Sequence, residues 1–391
     1  MYLLNEFSDI HREIWESVHG WAWANLAPGA AGRDAESRFD ESLYECLDSE
    51  LGVMNVTLPE SLGGANLDAA VTVFVIEALS ECDPGMAMSY LAQELLFSHQ
   101  LYWTWQSFGR EMPSWQAEIL KNKHLSGMAM TEPEAGTDVL GMKTTASPVD
   151  GGYVLNGVKQ WITNGPVGKA FLVYARTGEG RRDISLFVVT ADAPGFERSA
   201  CEDKMGMRSS PTGILTFHDC FVPADALVGS LNEGLRPMIR NLAVERIGLA
   251  AQSCGIARTC LTEMQKYASQ RHAFGKTISE FGQIQHLLAG CYAKYMAMQS
   301  MLGETLHTLI RGAEHAGIMA DAVKLFCAGG AEEIGRSAIQ VLGANGYSAA
   351  YPVERLYRDA VLLSIGGGTN EALEKNITRL LTREEGRKTW I

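Results

Sequence analysis

A segment in the middle of the chain, Gly127 to Gly165, reads GMAMTEPEAGTDVLGMKTTASPVDGGYVLNGVKQWITNG. It begins with a turn-rich loop and continues as alternating polar and apolar residues, with an Asn156-Gly157 dipeptide between two runs of β-forming residues. An Asn-Gly pair flanked in this way is typical of a tight β-hairpin. We therefore predict that Tyr153 to Leu155 and Lys159 to Thr163 are paired strands.

The second predicted strand places Trp161 and Thr163 on one face and Ile162 on the other, because side chains alternate along a strand. The first of these faces combines a large π surface with a hydroxyl. Gly136, in the preceding loop, allows backbone amides to approach a ligand closely. A planar heteroaromatic cofactor requires this combination. The spacing also fits a plain hairpin with a half-buried tryptophan, so both interpretations stay open at this point.

Two motifs in the segment resemble those of the acyl-CoA dehydrogenase family. The family's TEPxAG(S/T)D loop is matched by Thr131 to Asp138, and its WI(T/S)N element by Trp161 to Asn164. The order and separation of the two blocks match as well. The resemblance implies an FAD-dependent reaction in which a base removes the α proton of an acyl-CoA thioester and flavin N5 takes the β hydrogen as hydride.

Composition and charge argue against several classes of function. The chain has 391 residues and a net charge of −13, which disfavours a nucleic-acid backbone or an anionic membrane as the main partner. Its eight cysteines are scattered without CxxC or metal-ligand spacing, so we predict no metal site, reduced thiols and a cytoplasmic location. The N-terminal segment resembles neither a signal peptide nor a transit peptide, and no apolar run approaches the roughly 20 residues that span a bilayer.

The hydrophobic pattern divides the chain into three parts. Residues 1–120 show the spacing of amphipathic helices, whereas residues 121–230 hold short β-rich runs separated by turns, as in a small barrel or sandwich. Residues 231–391 are helical again and predict an up-and-down bundle. Its predicted helices are roughly 233–269, 280–310, 317–342 and 370–382. The resemblance implies the same order: an N-terminal helical domain, a β-barrel and a C-terminal four-helix bundle, hence a mainly α fold with a central β domain.

The usual catalytic base of the family is missing. Abstraction of an α proton requires a carboxylate in a dry site that raises its pKa towards neutrality. In many members this is the Glu of a YEGT motif just before the last helix. Here the matching segment, Ser364 to Thr369, reads SIGGGT, and the position of the motif's Glu is Gly367.

A second family pattern, LxxERxxxA, is matched by Leu242 to Ala250 and places a base at Glu245. Isovaleryl-CoA dehydrogenase and some long-chain enzymes use this position. Taken alone, a Glu-Arg pair on a helix is usually a solvated face. With the other position vacated, we predict that Glu245 is the base. Arg246 and Gly367 are predicted to contact the substrate, and Gly367 also leaves room that a Glu would fill.

The resemblance further implies that the helical region around residues 86–102 walls the acyl chain. We predict that Met88 and Leu91 face this pocket and that Thr137 contacts the substrate. For either apolar residue, an ordinary place in the core is the alternative.

Contacts to FAD carry over from the family residue by residue. In one subunit they are Met130, Thr131, Gly136, Thr137, Trp161 and Thr163. Arg271 and Phe274 match an RxxFG element whose Arg reaches the flavin pyrophosphate of a neighbouring subunit. The match to the QxxGGxGY loop, which closes on the adenosine part, supplies Gln340, Gly343 and Ala344. Thr369 can cap the last helix and meet a ligand there. Because these contacts come from two subunits, the resemblance implies a homo-oligomer, usually a tetramer.

Two further departures accompany Gly367. Gly282 stands where the family usually has a flavin-contacting Gln, and Ala344 replaces the second Gly of QxxGG. Neither loss abolishes a large cofactor site, because many contacts share the binding energy. Together the three positions indicate a divergent member.

We predict an acyl-CoA dehydrogenase that passes electrons to an electron-transferring flavoprotein. The first alternative is an enoyl-CoA reductase that runs the reverse reaction, as expected of crotonobetainyl-CoA reductase-like members, which also tolerate Gly at position 367. A non-redox use of the flavin site, as in desulfinase-like relatives, is disfavoured by Glu245. A helical scaffold that has lost its flavin is disfavoured by Trp161, Thr163 and Arg271.

Overall fold

The computed structural model describes residues 7–312 and 315–382, so the predicted outer ends of the two helical parts lie outside the described residues. The N-terminal helices are α1 (Asp9–Trp21), α2 (Ala30–Glu36), α3 (Glu41–Ser49), α4 (Ala69–Ser80), α5 (Pro84–Leu91), α6 (Gln100–Phe108) and α7 (Ser114–Lys121). A π-helical turn region, Ala92–His99, joins α5 to α6 without a break. α4 is buried all round from Ala70 to Ser80, and eight of these eleven residues are apolar.

The central part is an eight-stranded sheet. Its strands are β1 (Ser126–Ala129), β2 (Thr145–Val149), β3 (Gly152–Thr163), β4 (Ala170–Arg176), β5 (Ile184–Thr190), β6 (Phe196–Arg198), β7 (Thr212–Pro223) and β8 (Leu227–Val228). They pair in the order β6-β7-β3-β2-β4-β5-β8, and β1 pairs with β4 in parallel. β4 and β5 are continuous apolar runs because both of their faces are covered.

The hairpin predicted at Asn156-Gly157 is wrong. β3 continues through this dipeptide, and the register shifts between Leu155 and Gly157 where the strand bulges against β7. A Cβ atom built on Gly157 would lie 2.4 Å from Thr144 Oγ1, so the glycine is required here by the close approach of a neighbouring segment.

The turn lies six residues earlier in the chain. β2 and β3 form an antiparallel pair in which Val149 faces Gly152, so Asp150 and Gly151 form the two-residue loop. Asp-Gly is as strong a hairpin signal as Asn-Gly. The stretch therefore contains two such signals, and only the first is used as a turn.

The C-terminal part contains α8 (Leu235–Gln270), α9 (Gly282–Ile310), α10 (Ala316–Leu342), α11 (Val353–Leu363) and α12 (Asn370–Leu381). The four predicted segments correspond to α8, α9, α10 and α12 within a few residues. α11 was not predicted, although Val353, Leu356, Ala360 and Leu363 recur at helical spacing and are all buried. A short hairpin of β9 (His272–Ala273) and β10 (Lys276–Thr277) follows α8.

A loop between β6 and β7 ties the sheet to both helical parts. The Ser209 hydroxyl donates to Asp83 at the start of α5 over 2.5 Å, and the Met207 backbone N–H donates to Asp359 in α11 over 2.5 Å. Arg33 from α2 donates to the same Asp83 over 2.8 Å, and both of these side chains are buried. All three parts of the chain therefore meet at this loop.

Within residues 7–312 and 315–382, every helix is too short or too polar to cross a membrane. The same residues contain no group of His, Cys, Asp and Glu side chains arranged to hold a metal ion.

Candidate active site

Glu245 on α8 faces the glycine turn that precedes α12. A Cβ atom built on Gly367 would lie 3.7 Å from the Glu245 carboxyl carbon and 2.6 Å from Leu249 Cδ1. Gly367 also has a φ of +64°, a conformation that side chains other than glycine rarely adopt. The Glu245 carboxylate therefore occupies the space next to position 367, and a side chain at 367 would have to displace the end of the Leu249 side chain.

Burial sets the charge state of Glu245. The side chain is half-buried, and burial raises its pKa from the ordinary 4.5 to about 7, while the positive charges of Arg246 and Lys324 oppose the shift. A carboxylate with a pKa near neutrality is a strong enough base to accept a carbon-bound proton and is still available in its ionised form at pH 7.

Two cations hold the glycine turn in place. Arg246 Nε donates to the Gly367 carbonyl over 2.9 Å, and its Nη1 pairs with Asp321 at 2.5 Å. Lys324 Nζ donates to the Gly368 carbonyl over 2.8 Å and to Asn370 Oδ1 over 3.0 Å. The described contacts of Arg246 are thus with the turn and with Asp321 on α10. Lys324, on α10, has no sequence motif that marks it.

Thr369 completes the turn as the N-cap of α12. Its side chain accepts a hydrogen bond from the Ala372 N–H over 3.3 Å, as the sequence predicted. The start of α12 is therefore fixed beside the turn.

Leucines from the N-terminal part pack on α8 about one turn after Glu245. A Cβ atom built on Gly248, one turn after Glu245, would lie 2.8 Å from Leu91 Cδ1 and 3.1 Å from Leu95 Cδ1. Leu91 is fully buried and Met88 is 8% exposed. The small residue at 248 thus brings the two helices together, and a role of Leu91 and Met88 in walling the acyl chain stays a prediction.

Tyr174 of β4 also lies near Glu245, although no motif singled it out. The Tyr174 pKa rises because the side chain is buried and because the Glu245 charge is close, and Gln100 opposes the rise. In sequence, Tyr174 and Glu245 belong to different parts of the chain, so only the fold brings them together.

A buried ion pair fixes the 131–138 loop. Lys159 Nζ donates to Glu132 Oε1 over 2.8 Å and to the Met130 carbonyl over 3.0 Å, and the Thr144 N–H donates to Glu132 Oε1 over 3.0 Å. Both charged side chains are buried. The loop is held by its second residue, which leaves Thr131 half-buried and Gly136 and Thr137 exposed.

Trp161 projects from an irregular part of β3. The register with β7 shifts between Lys159 and Ile162, and Trp161 has a φ of +61°. Its side chain is 54% exposed, whereas Ile162 is buried and Thr163 is half-buried. A bulky residue with positive φ is strained, and such strain is concentrated at functional sites.

The remaining predicted FAD contacts lie at one end of the helical bundle. They are the exposed residues Arg271, Phe274, Gln340, Gly343 and Ala344. Phe274 sits in the two-residue turn between β9 and β10 and is 97% exposed. Asn345 donates to the Tyr267 hydroxyl over 2.9 Å, which joins the loop after α10 to the last turn of α8. The hydrogen bonds and ring contacts described for this end of the bundle do not include Trp161.

The residues present fit a bound FAD. Trp161 offers an exposed aromatic face, and Arg271 offers a guanidinium for phosphates. The 131–138 loop offers hydroxyls, and its Gly136 borders open space, since a Cβ atom built there would have no neighbour within 4 Å. Each of these groups is at least partly exposed in the described chain.

Comparison with known proteins identifies the family. Models described as the acyl-CoA dehydrogenase N-terminal, middle and C-terminal domains match residues 8–109, 127–220 and 232–382. Mitochondrial isovaleryl-CoA dehydrogenase of Oryza sativa subsp. japonica is 36% identical over 383 residues, covering 97% of this chain and 93% of that protein.

Solved structures agree. Butyryl-CoA dehydrogenase from Megasphaera elsdenii superposes with a TM-score of 0.91 at 31% identity, covering 96% of this chain and 99% of that chain. An FAD complex of PigA superposes with a TM-score of 0.89 at 25% identity, covering 96% and 98%. These matches confirm the predicted fold class. The chain belongs to the acyl-CoA dehydrogenase family, which consists of flavoprotein oxidoreductases that act on CH–CH bonds.

Proposed function

We propose that this chain oxidises a saturated acyl-CoA to its α,β-unsaturated thioester, with Glu245 removing the α proton. The observation that carries the assignment is the 3.7 Å between the Glu245 carboxyl carbon and the Cβ position of Gly367. Two family positions for the base thus meet in one place, and only one of them bears a carboxylate.

The side chains around Glu245 suit this role. Burial keeps its pKa at about 7, so the carboxylate is a stronger base than an exposed glutamate. Leu91 and Leu95 pack on α8 at Gly248, close in sequence to Glu245, and Arg246 fixes the Gly367 carbonyl. The proton leaves the substrate α carbon and is held on the Glu245 carboxyl.

FAD, when bound, supplies the acceptor for the β hydride. Thr131, Thr137, Trp161 and Thr163 are the residues that would hold its ring, and Arg271, Phe274, Gln340, Gly343 and Ala344 those that would hold its phosphates and adenosine. The exposed Arg271 and Phe274 support a homo-oligomer as part of this proposal, because in the family the Arg of the RxxFG element reaches the flavin of a neighbouring subunit. The tetramer, the electron-transferring flavoprotein and a cytoplasmic location rest on the sequence and the family resemblance.

The reverse reaction, reduction of an enoyl-CoA, is the second candidate. A Glu245 pKa of about 7 gives comparable amounts of acid and base at neutral pH, so the same carboxyl can return a proton to the α carbon.

Replacement of Glu245 by Gln tests the proposal. The amide keeps the shape of the side chain but accepts no proton, so FAD content stays unchanged while bleaching of the flavin by a saturated acyl-CoA slows at least ~100-fold. Stopped-flow spectra under anaerobic conditions measure both.

Glu371→Gln is the matched control. The Glu371 charge, like that of Glu245, raises the Lys324 pKa, but Glu371 is exposed in the first turn of α12. Bleaching of the Glu245→Gln enzyme at the wild-type rate would refute the assignment. If the wild-type flavin is not bleached by any saturated ester, but its reduced form is reoxidised by an enoyl-CoA, reduction is the activity.

A further inference from the structure

Lys324 on α10 places an ammonium group in the interior of the helical bundle. Its side chain is fully buried, and Nζ donates to two neutral oxygens, the Gly368 carbonyl and Asn370 Oδ1. Within residues 7–312 and 315–382, none of the ion pairs between side chains includes Lys324. Burial of an ammonium group without a paired anion is costly, so a negative charge close by is expected to offset it.

The glycine turn brings Lys324 next to Glu245. A Cβ atom built on Gly367 would lie 3.7 Å from the Glu245 carboxyl carbon, and Lys324 holds the carbonyl of the following residue, Gly368, over 2.8 Å. The two side chains thus reach successive residues of one turn, from α8 and from α10, and these two helices pack against each other.

Lys324 and Glu245 each stabilise the charged form of the other. Burial raises the Glu245 pKa to about 7, and the Lys324 charge opposes this rise. Burial lowers the Lys324 pKa to about 8, and the Glu245 charge opposes that fall. Between pH 7 and 8 both groups are therefore mostly ionised, which is the state that a catalytic base requires.

The other ionisable groups around Glu245 cannot replace Lys324 in this role. Arg246 forms an ion pair with Asp321, so its charge is already balanced by a carboxylate. Tyr174 on β4 stays neutral, because burial raises its pKa further above the ordinary 10.

Two further acids raise the Lys324 pKa, but neither forms an ion pair with Nζ among the described residues. They are Glu332 on α10 and Glu371 on α12. The Glu332 carboxylate accepts a hydrogen bond from the Ser364 hydroxyl, and Glu371 is exposed. Glu245 is thus the carboxylate at the turn that Lys324 holds.

We propose that Lys324 is a positioning residue for the reaction: its charge keeps Glu245 ionised, and its hydrogen bonds hold the turn beside the carboxylate. This inference rests on the proposed function, because it takes Glu245 as the base. Lys324 acts through Glu245 and the turn rather than on the reacting atoms.

Lys324→Met removes the charge. The Glu245 pKa should then rise, so the midpoint of the pH profile for single-turnover bleaching should move up by about 1 pH unit, with the saturated acyl-CoA that bleaches the wild-type flavin fastest. The ionised share of Glu245 at pH 7 would fall from about one-half to about one-tenth. The loss of rate at pH 7 should therefore exceed the loss at pH 9.5 by ~5-fold. A role in holding the turn alone would slow bleaching equally at both pH values.

Three variants serve as controls. Lys324→Arg keeps the charge and should leave the midpoint at its wild-type value. Lys324→Gln keeps a hydrogen-bond donor without the charge and should shift the midpoint as Lys324→Met does, so the test stands if the Met variant does not fold. Lys375→Met removes a positive charge from the exposed side of α12 and should not move the midpoint.

Infrared spectra follow the Glu245 carboxylate without turnover. The carboxylate band is the difference between an FAD-loaded enzyme and its Glu245→Gln counterpart, titrated without acyl-CoA in the wild-type and the Lys324→Met backgrounds. We expect the midpoint to lie ~1 pH unit higher in the Lys324→Met background. An unmoved midpoint overturns the inference, as does an equal shift in Lys324→Arg. A shifted infrared midpoint in an enzyme whose bleaching does not depend on Glu245 supports the pairing of Lys324 with Glu245 and refutes Glu245 as the base.

Discussion

Gly367 lacks a side chain, which leaves room beside it for the Glu245 carboxylate. A side chain at 367 would meet Leu249 Cδ1 at 2.6 Å and would have to adopt a φ of +64°. Positions 245 and 367 are far apart in sequence but adjoin in space. We therefore expect that a carboxylate can be moved from 245 to 367 only when the Leu249 side chain is shortened.

The double variant Glu245→Gly/Gly367→Glu tests this spatial equivalence. It should bleach its flavin no faster than Glu245→Gln, because the new carboxylate is displaced by Leu249. Addition of Leu249→Ala should accelerate bleaching at least ~10-fold over the double variant, since a positioned base contributes 100-fold or more. Leu249→Ala alone is the control for folding and FAD content. A triple variant that is no faster than the double would show that the two carboxylates do not share one site.

The pKa of Glu245 predicts a pH profile. The ionised form is the base, and with a pKa of about 7 its share rises from about one-tenth at pH 6 to about nine-tenths at pH 8. The single-turnover rate of bleaching should therefore rise about 10-fold between these pH values. The profile is measured at saturating acyl-CoA with FAD content held constant. A midpoint below pH 5 would mean that Glu245 is solvated during the reaction.

The 131–138 loop depends on the Glu132–Lys159 pair at its base. Both charges are buried, so removing one leaves the other without a partner, at a cost of about 3–5 kcal/mol. Glu132→Gln and Lys159→Met should each lower the free energy of unfolding by an amount of this order and release FAD. The double variant Glu132→Leu/Lys159→Met should be more stable than either single variant. Denaturant unfolding measures the stabilities, and additive losses would contradict a buried pair.

The π-helical stretch Ala92–His99 carries a buried acid. Burial raises the Glu94 pKa from 4.5 to about 8, so the folded chain keeps a proton that the unfolded chain releases above pH 4.5. The stability contributed by this proton is fully present below pH 4.5 and is lost as the pH rises through 8.

Glu94→Gln removes this dependence. Wild-type stability should fall by up to about 1.4 kcal/mol per pH unit between pH 5 and 8 from this group, and the variant should fall less. Thermal unfolding at several pH values makes the comparison. Glu118→Gln, at an exposed carboxylate of α7, is the control. Identical pH dependence of Glu94→Gln and wild type would show that Glu94 is already ionised in the folded chain.

Short sequence patterns predict some secondary-structure elements correctly and others wrongly. The long amphipathic helices and the family motifs are predictable because their information is contained in short windows. The turn at Asp150-Gly151 was missed in favour of Asn156-Gly157, because both dipeptides fit and only packing against Thr144 shows which is a bulge. The Lys324 charge opposes the rise in the Glu245 pKa, and the Glu245 charge raises the Tyr174 pKa. These residues lie on different elements, so no short stretch of sequence shows that they are close together.

At the scale of the whole molecule, the exposed Phe274 predicts an assembly. Phe274→Asp places a charge on a ring position that is 97% exposed in the single chain. If this position lies between subunits, the variant should form smaller species than wild type on size exclusion with light scattering and should lose FAD. Val149→Asp, on partly exposed β2, should leave both unchanged. An unaltered oligomer in Phe274→Asp would place the subunit contact elsewhere.

The loop between β6 and β7 limits how such enzymes can be recombined. Its Ser209 and Met207 bind Asp83 and Asp359, so the middle part has partners on both flanks. Consider a chimera in which residues 121–230 of this chain replace the corresponding segment of a relative. It receives this loop but keeps the relative's own residues at positions 83 and 359, so the hydrogen bonds form only if the relative also has carboxylates there. Crossover points placed at the boundaries of the three parts therefore separate this loop from the carboxylates that bind it. A graft that carries both aspartates along preserves the junction.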